Sequence, residues 1–458
     1  MNNFIFSYPT KVYFGKGCVK EYLACLTRPY NTVMLAYGGG SIKKNGVYDE
    51  VAGILVSEGK TVVDFPGIMP NPTYAKVQEG AKLAREKGVD FILAVGGGST
   101  IDCCKIVAAQ AVQDGDIWTM EMEKRDMPER FLPMGAIVTV SGTGSEMNNG
   151  AVITNEEKKI KCGMLGAANA FALLDPGYTM SVPFRQVISG AFDTLSHAME
   201  TYFGKPQDRN NLSDDINEAI MRGVIANIRH LLAEPDSYEV RSELMWASAM
   251  AENGILKIGK ITDFQCHQME HQLGAYTNCN HGAGLAVLHP VYYRHICKDG
   301  LFKFKCFATQ VWGIDPEGKS DEEIAAAGVE ALADFIQEIG LPTTLRELGV
   351  DESIDLGEVA ASCNISPGSC KKCATRRSRG SSRRQCEPHT ASEAGKGGIG
   401  RYVFLLRWIG DAPDEGTDAV GCICAIWQKM RSRHHKSEIG TSAEASIFYS
   451  CLIGRYQL

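Results

Sequence analysis

The chain has 458 residues, 44% of them hydrophobic, which is long enough for two domains with full-sized cores and ordinary for a soluble globular protein. A net charge of −7 gives no polyanion-binding signal, so no nucleic-acid partner is expected, and no apolar run approaches the length that spans a bilayer. The N-terminal sequence lacks the charged and apolar regions of a signal peptide, and the 16 cysteines are scattered or adjacent without zinc-finger pairing. Reduced thiols, a cytoplasmic location and no membrane partner are therefore expected.

Taken in order, four apolar, β-branched-rich runs recur at 32–37, 61–65, 91–95 and 136–140. Between them lie helical patterns such as 74–87, where Ala75, Val77, Ala81, Leu83 and Ala84 alternate with Lys, Glu and Arg. Strand, helix, strand at this spacing predicts a parallel sheet with crossover helices, that is, an α/β doubly wound, Rossmann-like domain over residues 1–180.

The turns after these strands carry glycines. Gly96, Gly97, Gly98, Ser99 and Thr100 end the third strand and open a helix over 101–112 that contains Asp102. Backbone amides and a helix N-terminus converge there, where a pyrophosphate can bind. The pattern recurs after the first strand as Gly38, Gly39, Gly40 and Ser41, with Lys43 and Lys44 close behind. A third polar turn, 139–146, follows the fourth strand. Three such turns at the carboxyl ends of parallel strands mark the crevice where open α/β sheets bind nucleotides. The first turn has two lysines and no acid until Asp49, which favours NADPH over NADH because a 2′-phosphate would meet no carboxylate. Pro70 and Pro72 stiffen a loop around Asn71.

From Pro183 onward no further strand and glycine-turn pair appears. The stretches 186–202, 214–232, 240–256 and 321–339 read as helices, the last opened by Ser320 with Glu323 three residues on, and residues 181–369 form an all-helical domain. Asp193 and His197 are four residues apart, as are His267 and His271, so each pair projects from one helix face. A helix break at Asn280 swings His281 round, and His289 follows. One carboxylate and up to three imidazoles suffice for a tetrahedral divalent site with room for substrate. Spacing alone does not choose between His267 and His271.

With the strings GGGST, TVSGTGSE, DTLSHAME and HQMEHQLGAYTNCNHG in this order, residues 1–369 resemble the iron-containing alcohol dehydrogenase family, in particular its butanol dehydrogenase and NADPH-dependent aldehyde reductase branch. The resemblance implies a dehydroquinate synthase-like architecture and a divalent metal, Fe2+ or Zn2+, held by Asp193, His197, His267 and His281. It implies that His271 belongs to a proton relay and is not a ligand. It also implies cofactor contacts at Gly38, Gly39, Ser41, Asn71, Gly97, Gly98, Ser99, Asp102, Thr139, Thr143, Ser145 and Lys161, a homodimer, and hydride transfer between NADP(H), or NAD(H), and a small aldehyde or primary alcohol such as butanal or butanol.

Three other readings compete. A glycerol or polyol dehydrogenase using NAD is the nearest. His267, Glu270 and His271 also match the H-x-x-E-H pattern of a zinc hydrolase, which leaves the three glycine turns unused. An inactive metal- or nucleotide-binding homologue is the third.

Residues 370–458 depart from the family pattern. They carry 15 Lys and Arg against 8 Asp and Glu, with no sustained period. A disordered basic tail is the simplest reading. The codons available to the stretch 374–384, read two bases along, encode a short acidic amphipathic helix of the kind the body lacks. A reading-frame shift near Cys370, with a non-native tail and a lost helix, accounts for both.

Overall fold

The computed structural model describes residues 2–204 and 208–363, so the expectations about residues 370–458 lie outside the described residues. Its strands are β1 (Lys11–Phe14), β2 (Thr32–Tyr37), β3 (Thr61–Phe65), β4 (Phe91–Gly96), β5 (Met134–Val138), β6 (Gly150–Asn155), β7 (Ile160–Leu165) and β8 (Phe171–Leu174). Its helices are α1 (Cys18–Thr27), α2 (Ser41–Lys44), α3 (Val47–Ser57), α4 (Tyr74–Lys87), α5 (Gly98–Gln110), α6 (Phe184–Tyr202), α7 (Leu212–Ala233), α8 (Tyr238–Glu252), α9 (Gln265–Thr277), α10 (His281–Ile296), α11 (Leu301–Cys306), α12 (Asp321–Glu338) and α13 (Leu356–Ser362).

Six strands form one parallel sheet in the order β1-β8-β5-β4-β2-β3, and β6 and β7 pair antiparallel as a separate hairpin. The sheet is buried on both faces, as parallel sheets are. The period-two alternation shows how: Val33, Leu35, Phe91 and Leu93 enter one core with Val19, Val51 and Leu55, while Met34, Ala36, Ile92 and Ala94 enter the other with Val77, Ile101 and Val107. Residues 184–362 contribute only helices among the described residues, packed around a third core that includes Phe192, Leu195, Leu288 and Phe335.

The strands at 32–37 and 61–65 and the helix at 74–87 fall where the sequence places them. The strand expected at 136–140 does not. It runs Met134–Val138, because Thr139 leaves the ladder after donating its amide to the Gly96 carbonyl (3.0 Å) and the chain turns over the sheet edge. Helix α5 begins at Gly98 rather than 101, since the glycines that discourage a helix on propensity are helical here. Helix α8 stops at Glu252, not 256, because Gly254 adopts a left-handed φ of 90°. The edge strand β1, the inner strand β8 and the β6–β7 hairpin are additions to the expected set: β1 and β8 have four residues each, too few to show a period. Ser320 and Glu323 form the expected capping box on α12.

The helical part meets the sheet at a seam of small residues. A side chain on Gly142 would stand 2.7 Å from the Cα of Gly190 on α6, and Thr194 of the same helix donates to the Gly142 carbonyl at 3.1 Å. Ser248 on α8 accepts the Gly142 amide at 2.9 Å. The third polar turn is thereby fixed directly against the helix that carries Asp193.

Glu121 reports on the packing of the hairpin. It is buried, one carboxylate oxygen accepts the Leu165 amide at 2.7 Å, and the other has no partner. Burial, only partly opposed by that amide, pushes its carboxyl up to about 8. A folded value above the unfolded one stabilises the protein at low pH and ceases to do so as pH rises through about 8. Glu121→Gln is therefore expected to reduce the loss of stability that the unaltered chain shows between about pH 5 and 8, with the buried Glu146, pushed up to about 7, supplying the remainder, as read from urea midpoints.

Candidate active site

Three turns lie side by side, because the strands they follow, β2, β4 and β5, are neighbours in the sheet. Residues 38–41 link β2 to α2, with Gly40 at φ 97°. A Cβ on Gly38 would come to 3.1 Å of the Ile68 carbonyl. Gly97 caps α5 without a side chain, which leaves the first amides of this helix to an external acceptor. A side chain on Gly98 would overlap Thr143, and one on Gly97 would stand 3.1 Å from Val140, so the second and third turns are in contact. Asp102, the fifth residue of α5, accepts from the Ser145 hydroxyl and from the Val152 amide (2.9 Å). Lys105, one turn on and wholly buried, donates to Ser145 Oγ (2.8 Å), Asn148 Oδ1 (3.1 Å) and the Gly150 carbonyl (2.6 Å). Thr139, Thr143 and Ser145 thus belong to one rigid turn, and Gly97 and Gly98 pack directly against it.

Two expectations about the crevice change. Lys43, expected to be free to attract a 2′-phosphate, places its ammonium 4.3 Å from the ring centre of Tyr48 and 5.1 Å from that of Tyr37. Tyr48 in turn donates to Asp64 at 2.8 Å, so a carboxylate from β3 stands near a turn that looks acid-free in sequence. Asn71 adopts φ 53° and donates to Asn278 Oδ1 at 2.9 Å, bridging from the sheet edge to the turn between α9 and α10. Lys161 on β7 is buried, with its ammonium 3.2 Å from Glu270.

The histidines lie beside the third of these turns. Asp193 and His197 project from α6 one turn apart, and His267 and His271 do so from α9. Helix α9 ends where Asn278 turns left-handed at φ 53°, and Asn280 caps α10 by accepting the Ala283 amide at 3.1 Å, which makes His281 the first residue of α10. The Asp193 Oδ1 atom lies 3.7 Å from His197 Nδ1 and 3.5 Å from both His267 Nε2 and His281 Nε2. Asp193 Oδ1, His197 Nδ1 and His267 Nε2 are buried and have no hydrogen-bond partner. Buried polar atoms left unpaired together, facing one another, are what a cation's ligands look like without the cation, and nitrogen and carboxylate donors suit a divalent iron or zinc ion.

His271 stands apart from this set. Its ring centre is 6.0 Å from that of His267 and 5.8 Å from that of His281, and its buried Nδ1 has no partner. Burial first, with Lys161 and His281 adding to it, holds its imidazole well below the ordinary range, so it is neutral. His289, also buried, bonds Ser196 Oγ at 2.6 Å and takes no part in the cluster.

Two residues that sequence reading does not assign to the centre orient its imidazoles. Glu200 accepts from His267 Nδ1 and from the amides of Cys266 (2.6 Å) and His267 (3.1 Å). Glu270 accepts from His281 Nδ1 and pairs with Lys161. Each directs the other ring nitrogen, Nε2, toward Asp193. The available signal is spacing: each glutamate lies three residues after a histidine on the same helix. Because Glu270 is fully buried and bonded to Lys161 and His281, it is not placed as the solvent-facing base that an H-x-x-E-H hydrolase needs.

Burial raises the Asp193 carboxyl, but His197, His281 and His267 outweigh it and hold Asp193 well below the usual carboxylate range. Burial brings His197 down to about 4. For His267 burial acts downward and is overcome by Glu200 and Asp193, which push it up to about 10. A cation must displace the His267 proton, so affinity for Zn2+ is expected to climb about tenfold per pH unit between about pH 7 and 9. A chelator-competition titration that finds a flat profile would contradict this.

Residues 9–176 match the family model described as iron-containing alcohol dehydrogenase, and residues 187–370 match that of the Fe-containing alcohol dehydrogenase family, C-terminal. The chain is 40% identical over 353 residues to the NADH-dependent butanol dehydrogenase A of Clostridium acetobutylicum, covering 76% of this chain and 90% of that protein. It is 37% identical over 358 residues to the NADPH-dependent aldehyde reductase YqhD of Escherichia coli, covering 77% and 91% respectively. The crystal structure of NADH-dependent butanol dehydrogenase A from Thermotoga maritima superposes with a TM-score of 0.75 at 36% identity, over 79% of this chain and 90% of the other. Neither the glycine turns nor the histidine cluster stands alone, and the chain belongs to the iron-containing alcohol dehydrogenase family, whose members are NAD(P)-dependent oxidoreductases of alcohols and aldehydes.

Proposed function

We propose that this chain interconverts a small aldehyde and its primary alcohol, of the butanal and butanol class, with NADPH as the preferred reductant. The observation that carries the proposal is the meeting of Asp193 Oδ1, His197 Nδ1 and His267 Nε2, buried and without partners, two of them on a helix fixed to the third glycine-bearing turn through Gly142 and Thr194. Asp193, His197, His267 and His281 would hold the divalent ion, and Gly38, Gly39, Ser41, Asn71, Gly97, Gly98, Ser99, Asp102, Thr139, Thr143, Ser145 and Lys161 would line the nucleotide crevice. When bound, the ion supplies a Lewis acid for the substrate oxygen and the nicotinamide supplies the hydride. The chain's own residues do the rest. The glycine turns admit the pyrophosphate to backbone amides. Asp193 brings negative charge to three imidazoles, and Glu200 and Glu270 fix two of those rings. His271, neutral and near the cluster, accepts or passes a proton for the substrate oxygen.

The preference for NADPH rests on the absence of a carboxylate within the first turn and on Lys44, exposed at the end of α2. Lys43 contributes less than its charge suggests, given its place over Tyr48 beside Asp64. The relatives include both NADH- and NADPH-dependent enzymes, so kinetics decide.

Metal-stripped protein is expected to lose butanal reduction and to regain it with Fe2+ or Zn2+, with kcat/KM higher for NADPH than for NADH. Asp193→Asn is expected to lose both metal and activity. His271→Ala is expected to keep its metal and lose about 100-fold in kcat, within the usual range for a proton-transfer group. Retention of full activity by the stripped protein would refute the proposal.

A second copy of the chain is also proposed as partner. The edge strand β1 follows an exposed apolar run of Phe4, Ile5 and Phe6, and Phe14 and Trp246 form an exposed aromatic pair 6.0 Å apart. Sedimentation is expected to give twice the chain mass, and a single-chain mass at all concentrations would refute the dimer.

A further inference from the structure

We propose that Glu270 is a positioning residue for His281 and that Lys161, through Glu270, sets the net charge offered to the metal. This rests on the reading of Asp193, His197, His267 and His281 as the ligand set.

The geometry is specific. The Glu270 Oε2 atom is shared between His281 Nδ1 and Lys161 Nζ, the latter at 3.2 Å, while Oε1 lies 3.9 Å from the Cys279 thiol. Glu270 and Lys161 are buried, and the His281 side chain is 25% exposed. The pair packs closely against two glycines. A Cβ on Gly274 would stand 3.2 Å from Lys161 Nζ and 3.3 Å from Glu270 Oε1, and one on Gly284 would stand 3.0 Å from Glu270 Cγ. Glu200 on His267 is bonded differently: its other hydrogen bonds come from backbone amides. The two oriented imidazoles therefore differ in the charge behind them.

Glu270, His271 and His281 also bring ligand atoms within 4.8 Å of one another, which by itself suggests a second cation site. Lys161 argues against it, because its ammonium already stands 3.2 Å from the carboxylate. The same ammonium has a second consequence. The carboxylates that reach the imidazoles, Asp193, Glu200 and Glu270, total three negative charges, and Lys161 reduces the sum to two, equal and opposite to a divalent ion. Glu252 nearby is matched by Lys257 at 2.9 Å and leaves the sum unchanged.

Charge and orientation separate in a double-mutant cycle on the full chain, with Zn2+ as probe and chelator competition as the readout. Glu270→Gln keeps an acceptor for His281 Nδ1 but removes the charge and leaves Lys161 uncompensated. Zn2+ affinity is expected to fall about 10- to 100-fold. Lys161→Met is expected to raise it. The double variant restores the sum to two and is expected to bind Zn2+ more tightly than Glu270→Gln alone, whereas a merely structural role would make it at least as weak. Melting of the metal-free proteins checks that each variant folds. An affinity for Glu270→Gln within about twofold of the unaltered chain, or a double variant no tighter than Glu270→Gln, overturns the inference. If Asp193→Asn also keeps its Zn2+, the ligand set itself is wrong; if Asp193→Asn loses Zn2+ while Glu270→Gln does not, only this inference fails.

Discussion

The structure depends on one unsatisfied arrangement: a carboxylate oxygen and imidazole nitrogens, taken out of water and given no partner but one another. Burying such groups costs several kcal/mol unless something compensates them. The surrounding architecture holds them in place regardless. Glu200 and Glu270 fix the rings from behind, Asn280 caps the helix that begins at His281, and the Gly142–Gly190 contact presses α6 against the sheet. A chain that only needed a stable core would fill this place with apolar side chains. This one keeps it polar and rigid, as a preorganised ion site requires.

Position on the sheet then gives the cluster its chemical context. Strands β2, β4 and β5 are adjacent, so their turns form one edge, and the turn after β5 is the one that touches α6. Asp102 and Lys105 stiffen that edge from within α5 through Ser145, Asn148 and Gly150. The glycine turns and the histidine cluster are therefore two sides of one seam, an arrangement in keeping with the switch-point rule for open α/β sheets.

Much of this is legible in the residues. Runs 32–37 and 61–65 are long and β-branched enough to read as strands, and the i, i+4 pairs Asp193/His197 and His267/His271 sit on helix faces as their spacing implies. What escapes is what spacing does not encode. The four-residue strands β1 and β8 acquire their identity from their neighbours in the sheet. Strand β5 ends two residues before the expected position because the turn that follows it takes Thr139 and Val140, and it begins two residues earlier because Met134 pairs with Ile92. Asp64 is distant in sequence from Lys43 yet shares its surroundings through Tyr48, so a charge argument confined to one turn misses it. Glu200 carries no signal of its own, and Glu270 stands out only in the competing hydrolase pattern, until the fold buries them against His267 and His281.

The most direct measurement is an anomalous-difference map from crystals of the full chain grown with Zn2+ and collected at its absorption edge. The account requires one peak enclosed by Asp193, His197, His267 and His281. A peak held instead by Glu270 and His271, or none within reach of Asp193, would contradict it.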